Sequence, residues 1–213
     1  HNQLNLHAGC VELYVREGAT LRYSTIENWS KNMLNLNTKR STVDKDGTIE
    51  WVSGTFGSHI TMLYPMSILR GENARSEFTG VSFASNGQYL DSGTKVVHAA
   101  PNTSSTISSK SISKVGGNTT YRSAVVINPN AVNSKCSVIC ESLQMDDPSR
   151  SDAIPVMDVR NDEVAIGDEA KVGRMSDQSV FCLMSRGLTE EGAKALIVRG
   201  FVEPGEKELP IDI

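Results

Sequence analysis

Thiols are the most versatile groups in this chain, and four cysteines occur among its 213 residues. Cys136 and Cys140 lie four positions apart in a run that reads as extended. On a straight strand that spacing puts both thiols on one face, about 13 Å apart. One metal cannot be held by both, since zinc–thiolate and similar bonds are about 2.3 Å long. Neither forms a C-x-x-C pair, so any shared site must draw its other groups from neighbouring segments. The plainer reading of all four cysteines is as small buried apolar side chains. His7, His59 and His98 are scattered, and His1 is terminal. A lone histidine in a strand is more often packed or hydrogen-bonded than catalytic. The acidic pairs Asp146-Asp147 and Asp162-Glu163 read as solvated turns. Glu27, Trp29 and Lys39 bring a carboxylate, an indole and an ammonium close in sequence. Their plainer reading is a lining tryptophan among solvated charges. Phosphate-loop, dinucleotide and G-x-S-x-G patterns are absent, so any use of ATP would need another chain.

The elements that must position these groups are short strands. Val11, Leu13 and Val15 alternate with polar residues, and Thr48 to Val52 repeats the period of two. Such alternation marks strands with one buried face. A longer period is superposed on it. Turn-forming pairs recur at Gly18-Ala19, Gly47-Thr48, Asn73-Ala74, Asn102-Thr103 and Asn130-Ala131, with a looser one at Asn161-Asp162; the steps are 29, 26, 29, 28 and 31 residues. Ser, Thr and Asn are abundant between the runs. The simplest object with this period is a β-solenoid, one coil per repeat, each strand bonded to its equivalent in the next coil. An ordinary β-sandwich is the alternative. Counting one period on from Cys140 reaches Asp168-Glu169; counting from the turn anchors reaches Lys171. Either register sets a thiol beside a charged group on an adjacent coil, about 4.8 Å away.

After about residue 175 the pattern turns helical. Ser176 is placed to cap a helix carrying Val180, Phe181, Leu183 and Met184 on one face, and Gly187 to stop it. Thr189 is placed to cap a second helix, with Ala193, Leu196, Ile197 and Phe201 as its stripe. Pro204 and Pro210 are expected to end it. The hairpin is suited to capping the open end of a solenoid or to docking a partner. The expected division is residues 1–174 as β-helix core and 175–213 as a helical region that is cut short.

Charge and hydropathy narrow the class. The chain has 21 basic and 25 acidic residues, 38% hydrophobic and 6% aromatic content. Net charge −4 argues against a main role in neutralising nucleic-acid phosphates. No apolar run approaches the ~18 residues of a membrane span. No export signal is visible. The chain starts at His1 without a methionine, as a fragment would. The expectation is a soluble, cytoplasmic protein of a reducing compartment.

Several strings carry a family resemblance. They are Ser24-Thr25-Ile26-Glu27-Asn28-Trp29-Ser30, Asn37-Thr38-Lys39-Arg40, Ala100-Pro101-Asn102-Thr103-Ser104-Ser105, Thr120-Tyr121-Arg122 and Ser149-Arg150-Ser151-Asp152. Leu183 to Glu190 and Val198 to Pro204 complete the set. Together they resemble the SufB/SufD family of the SUF iron–sulfur cluster assembly machinery, and within it the SufB scaffolds. The resemblance implies a right-handed parallel β-helix with a C-terminal helical part and a non-catalytic scaffold role. It implies a SufC-like ABC ATPase bound through the C-terminal helices, and a SufD-like paralogue or a second copy as partner. It also implies persulfide sulfur delivered from a cysteine desulfurase through a sulfur-transfer protein. The cargo is a transient iron–sulfur cluster, 4Fe–4S, with flavin in some full-length members.

By the same resemblance, Cys140, Asp168 and Glu169 fall on the sulfur acceptor and nascent-cluster positions, with Cys140 and Glu169 as iron ligands. Glu27, Trp29 and Lys39 fall on the sulfur path. Asp168 stands where the family usually has histidine, and Glu27 where some relatives have glutamine. Full-length members carry a long N-terminal region with another cysteine of that path. Two other readings are a SufD-like structural subunit, against which Cys140 argues, and a secreted polysaccharide-acting β-helix, against which the missing export signal argues.

Overall fold

A computed structural model of the chain describes residues 3–206, with side chains described through residue 202. Thirteen strands and two helices occur among the described residues. Two strands make a coil. The first coil is β1 (Asn5–Val15) and β2 (Thr20–Glu27), and the second is β3 (Met33–Val43) and β4 (Thr48–Thr55). In the third, β5 (Ile60–Leu63) and β6 (Met66–Leu69) share one side, facing β7 (Arg75–Ala84). Then come β8 (Tyr89–His98) with β9 (Ser104–Ser113), β10 (Asn118–Ile127) with β11 (Ser134–Gln144), and β12 (Arg150–Val159) with β13 (Val164–Arg174). The first strands of the coils stack in one sheet, β1-β3-β5/β6-β8-β10-β12; the second strands stack in the other, β2-β4-β7-β9-β11-β13. Every pairing is parallel. The chain is a β-solenoid of about six turns, as its repeat predicts.

The coil length is set at one turn. Gly18, Asp46, Asn73, Asn102 and Asn133 all have positive φ. Asn and Asp tolerate that region better than other side chains. Each of their N–H groups donates to a carbonyl one coil further on: Lys45, Glu72, Pro101, Val132 and Glu163. The anchor thus falls on Asp46 rather than Gly47, and on Asn133 rather than Asn130. The last coils are the longest. Asn118 pairs with Arg150, 32 positions on, whereas Leu34 pairs with Ile60, 26 positions on.

The lumen is divided along each strand. One half is apolar, filled by Val15, Val43, Ile49, Leu69, Ile107 and Ile127. Full burial of each such side chain contributes roughly 1.5–3 kcal/mol. The other half is lined by Ser, Thr, Asn and ionisable groups, which are therefore strand residues as well as turn residues. Ser104–Ser113 shows this best: it is a strand, with Ser105, Ser109 and Ser111 buried among its inward positions.

Ser176 caps α1 (Asp177–Met184), Gly187 is left-handed, and the Thr189 hydroxyl accepts from the Gly192 N–H at the start of α2 (Glu190–Glu206). Helix α2 does not cap the open end. Ile197, Val198, Phe201 and Val202 pack on the outward side chains Val52, Val81, Ile112 and Leu143 of the second sheet. A stripe matched to a sheet face buries more apolar area there than over an open coil. The helix also runs through Pro204 instead of ending at it, while Pro210 lies outside the described residues. No helix among the described residues is long and apolar enough to cross a membrane.

Candidate functional site

At one end of the lumen the inward positions of β1, β2 and β3 are polar. Glu27 and Lys39 are only 7% and 5% exposed. The Lys39 ammonium donates to Glu27 Oε1 at 3.0 Å and to Thr25 Oγ1 at 3.2 Å. Asn35 and Asn37 donate their amides to the same carboxylate. The His7 Nδ1 pairs with Asn35 Oδ1 at 2.9 Å, and the Trp29 ring leans over the His7 ring with centroids 4.7 Å apart. Gly9 makes room, since a Cβ there would meet Asn37 Oδ1 at 2.3 Å. Buried charges persist when paired and hydrogen-bonded, and this set is both. Trp29 is 37% exposed, at the mouth between β2 and β3. The structure therefore gathers Glu27, Trp29 and Lys39 into one cluster. It adds Asn35, Asn37 and His7, whose signal in the sequence was polar residues at inward, alternating strand positions.

A column of small residues leads away from this cluster. Successive register partners in the second sheet are Thr25, Ser53, Gly80, Ser109 and Cys140. At about 4.8 Å per coil the column spans roughly 19 Å. Across the lumen run Asn37, Leu63, Ser92, Tyr121 and Ala153. Between the columns lies a cavity of about 10 Å³, lined by Ser53, Ser82, Ser92, Ser109 and Tyr121 among others. That is room for about one water.

Cys140 ends the column. It is 2% exposed and points inward, as does Cys136. Burial pushes the Cys140 thiol up to about 11; the Ser123 hydroxyl works against this shift and the Asp168 charge adds to it. The same burial raises Cys136. At rest both are protonated, dry thiols. Cys140 pairs with Ala170, between the two counted positions, because Ser134 and Val164 are 30 residues apart rather than 28. This register separates the acids. Asp168 faces Val138 on the inward side, and its charge is felt by both thiols. Glu169 faces Ile139 on the outward side and pairs with Lys171 at 2.6 Å. The expected Cys140–Glu169 ligand pair is therefore not assembled within one chain, because adjacent residues of a strand point to opposite faces. Among the described residues no three His, Cys, Asp or Glu side chains converge as a metal site.

The terminal coil is open. Strands β12 and β13 are the edges of the two sheets at this end, as β1 and β2 are at the other, and β13 is exposed along almost its whole length. Ile154, Val156, Ile166 and Val172 are exposed on these edges, and Phe181 of α1 is 71% exposed.

Fold and lumen together define the class: a parallel β-solenoid that holds an ion pair and a thiol inside its coils. Residues 1–201 match the family described as "SUF system FeS cluster assembly, SufBD core domain". Over 208 residues the chain is 47% identical to the iron–sulfur cluster assembly protein SufB of Bacillus subtilis, covering 98% of this chain and 45% of the relative. A SufBD family protein of Mycobacterium leprae is 49% identical over 208 residues, covering 98% of this chain and 24% of the relative. A SufBD family protein of Staphylococcus epidermidis is 47% identical, with 98% and 45% covered. The chain belongs to the SufBD family of iron–sulfur cluster assembly proteins. It spans less than half the length of each of these relatives.

Proposed function

We propose that the chain is the core of a scaffold on which an iron–sulfur cluster is built. Sulfur arrives as a persulfide from a desulfurase through a sulfur-transfer protein, at the Glu27–Trp29–Lys39 end. It passes along the lumen and is presented on Cys140. The observation that carries this reading is the column Thr25-Ser53-Gly80-Ser109-Cys140, which joins the charged cluster to the thiol. The Lys39 ammonium is suited to a persulfide anion. Cys140 supplies a soft donor and Asp168 a hard one, and weak mixed ligation suits a protein that must give its cargo away. The remaining ligands come from across an interface. A SufD-like paralogue or a second copy, paired with the free β12 and β13 edges, would cover the open coil and bring groups to the rim where Glu169 lies. A SufC-like ABC ATPase is the partner for the helices. The exposed Phe181 and Leu196 and a groove of about 930 Å³ beside α2, lined by Met145, Ala195 and Val198 among others, support that docking. On this reading ATP hydrolysis belongs to the ATPase, and the scaffold works in the cytoplasm.

Anaerobic reconstitution with iron and sulfide, followed by visible absorption, tests the proposal. Cys140→Ser should lose the cluster spectrum, and an unchanged spectrum would overturn the site. Trp29→Ala, and Lys39→Met combined with Glu27→Gln so that no buried charge is stranded, should slow persulfide-dependent delivery more than direct reconstitution. Equal losses in both assays would remove the path. A second reading, a SufD-like structural subunit, is favoured by the dry, protonated state of Cys140. It predicts no cluster on the chain with any partner.

A further inference from the structure

Cys140 is surrounded by hydroxyls that the fold leaves under-satisfied. Tyr121 faces it across the same coil and is 2% exposed; its Oη makes no hydrogen bond of full geometry and has only weaker contacts with the Thr94 and Ser109 hydroxyls. Ser123 Oγ is likewise without a hydrogen bond of full geometry, its one contact being a weak one with the Cys140 sulfur. Thr94 Oγ1, register partner of Ser123 one coil back, is also buried and meets only the Tyr121 phenol, weakly. Buried hydroxyls are normally satisfied, and leaving several bare at one spot is costly. At the other end of the lumen the Glu27 carboxylate is fully partnered, although Thr61 Oγ1, register partner of Asn35, is bare there. Of these three residues around Cys140, Tyr121 lines the small cavity, together with Ser109 and Ser92.

We propose that the hydroxyls of Tyr121, Ser123 and Thr94 are a receptor for the outer sulfur of a persulfide carried by Cys140. This deepens the reading of Cys140 as sulfur acceptor and rests on it. The Cys140 sulfur attacks the outer sulfur of a donor persulfide. A new S–S bond forms, the donor's S–S bond breaks, and the donor departs as a thiol with the proton that Cys140 gives up. No electrons are gained or lost overall. The new outer sulfur extends from Cys140 into the lumen, where the three O–H groups can donate to it. Tyr121 is then a positioning residue: it holds the sulfur while iron or a partner arrives.

The test treats the full chain anaerobically with inorganic polysulfide, which leaves as hydrosulfide or a shorter polysulfide. Peptide mass spectrometry then follows the added sulfur on Cys140 after the donor is removed. Tyr121→Phe should shorten the lifetime of that sulfur roughly tenfold, the loss of a hydrogen bond to a charged acceptor. Ser123→Ala should act in the same direction and less. Thermal stability of Tyr121→Phe should change little, because the deleted hydroxyl makes only weak contacts. A parental lifetime in Tyr121→Phe, with Cys140 loaded, overturns the receptor alone. A fall in stability that tracks the lifetime assigns Tyr121 to packing and also overturns it. A parent chain that gains no sulfur on Cys140 overturns the acceptor reading and the receptor with it.

Discussion

The two ends of the polar lumen are built from similar side chains to opposite effect. Around Glu27, the ammonium of Lys39 and two amides converge on one carboxylate. Around Cys140, three hydroxyls are buried without a hydrogen bond of full geometry. A closed set of hydrogen bonds fixes its members in place. An open set has affinity to spare. His98 belongs with the closed kind, since its two ring nitrogens meet Thr103 Oγ1 at 2.8 Å and Ser105 Oγ at 2.9 Å. Stability should therefore be concentrated at the charged end and in the middle, and ligand response at the thiol end.

The largest effect that would break this contrast is at Lys39. Lys39→Ala strands a buried carboxylate and should cost about 3–5 kcal/mol in urea unfolding. Glu27→Gln combined with Lys39→Met should recover much of it. A cost below about 1 kcal/mol, the range of an exposed pair, would mean the charged end is not closed. His98 comes next. Burial pushes its imidazole down to about 4, against about 6.5 unfolded. Between those values the unfolded chain binds the extra proton. Stability is therefore full above about pH 6.5 and falls as pH drops toward 4, by up to about 3 kcal/mol. Unfolding curves across that window should flatten in His98→Gln.

At the open end the expected stability changes are small. Cys140→Ser should move the unfolding free energy by only about 1 kcal/mol, as an ordinary polar replacement in an already polar wall. A much larger loss would recast Cys140 as a packing residue. Smallest of all is Asp168→Asn. Removing that charge should shift the pH profile of Cys140 alkylation downward, and no shift would place Asp168 out of electrical reach of the thiol.

Much of the architecture was legible because the turns repeat. Gly18, Asn73 and Asn102 carry positive φ where the repeat expects turns. The exact partner of Cys140 was not legible, because coil length drifts and one added residue flips a strand's faces. A count that lands on Asp168-Glu169 cannot tell which acid faces the lumen; the pairing of Val138 with Asp168 and Ile139 with Glu169 decides it. The under-satisfied hydroxyls were hidden for another reason. Thr94, Tyr121 and Ser123 look like ordinary strand or turn residues until two sheets are folded face to face. The helix position was equally hidden, since an apolar stripe does not say whether it will meet a sheet face or an open coil.

The unpaired β13 edge has a kinetic consequence. In a stack whose units hold only their neighbours, opening begins where a neighbour is missing. Amide exchange should be fastest in the edge strands, β1 and β2 at one end and β12 and β13 at the other, and slowest in the central strands. Cys140 sits one layer beneath that fraying end. How often a reagent meets its sulfur is then governed by the breathing of a single outermost turn, and anything that clasps that turn would hold the door shut.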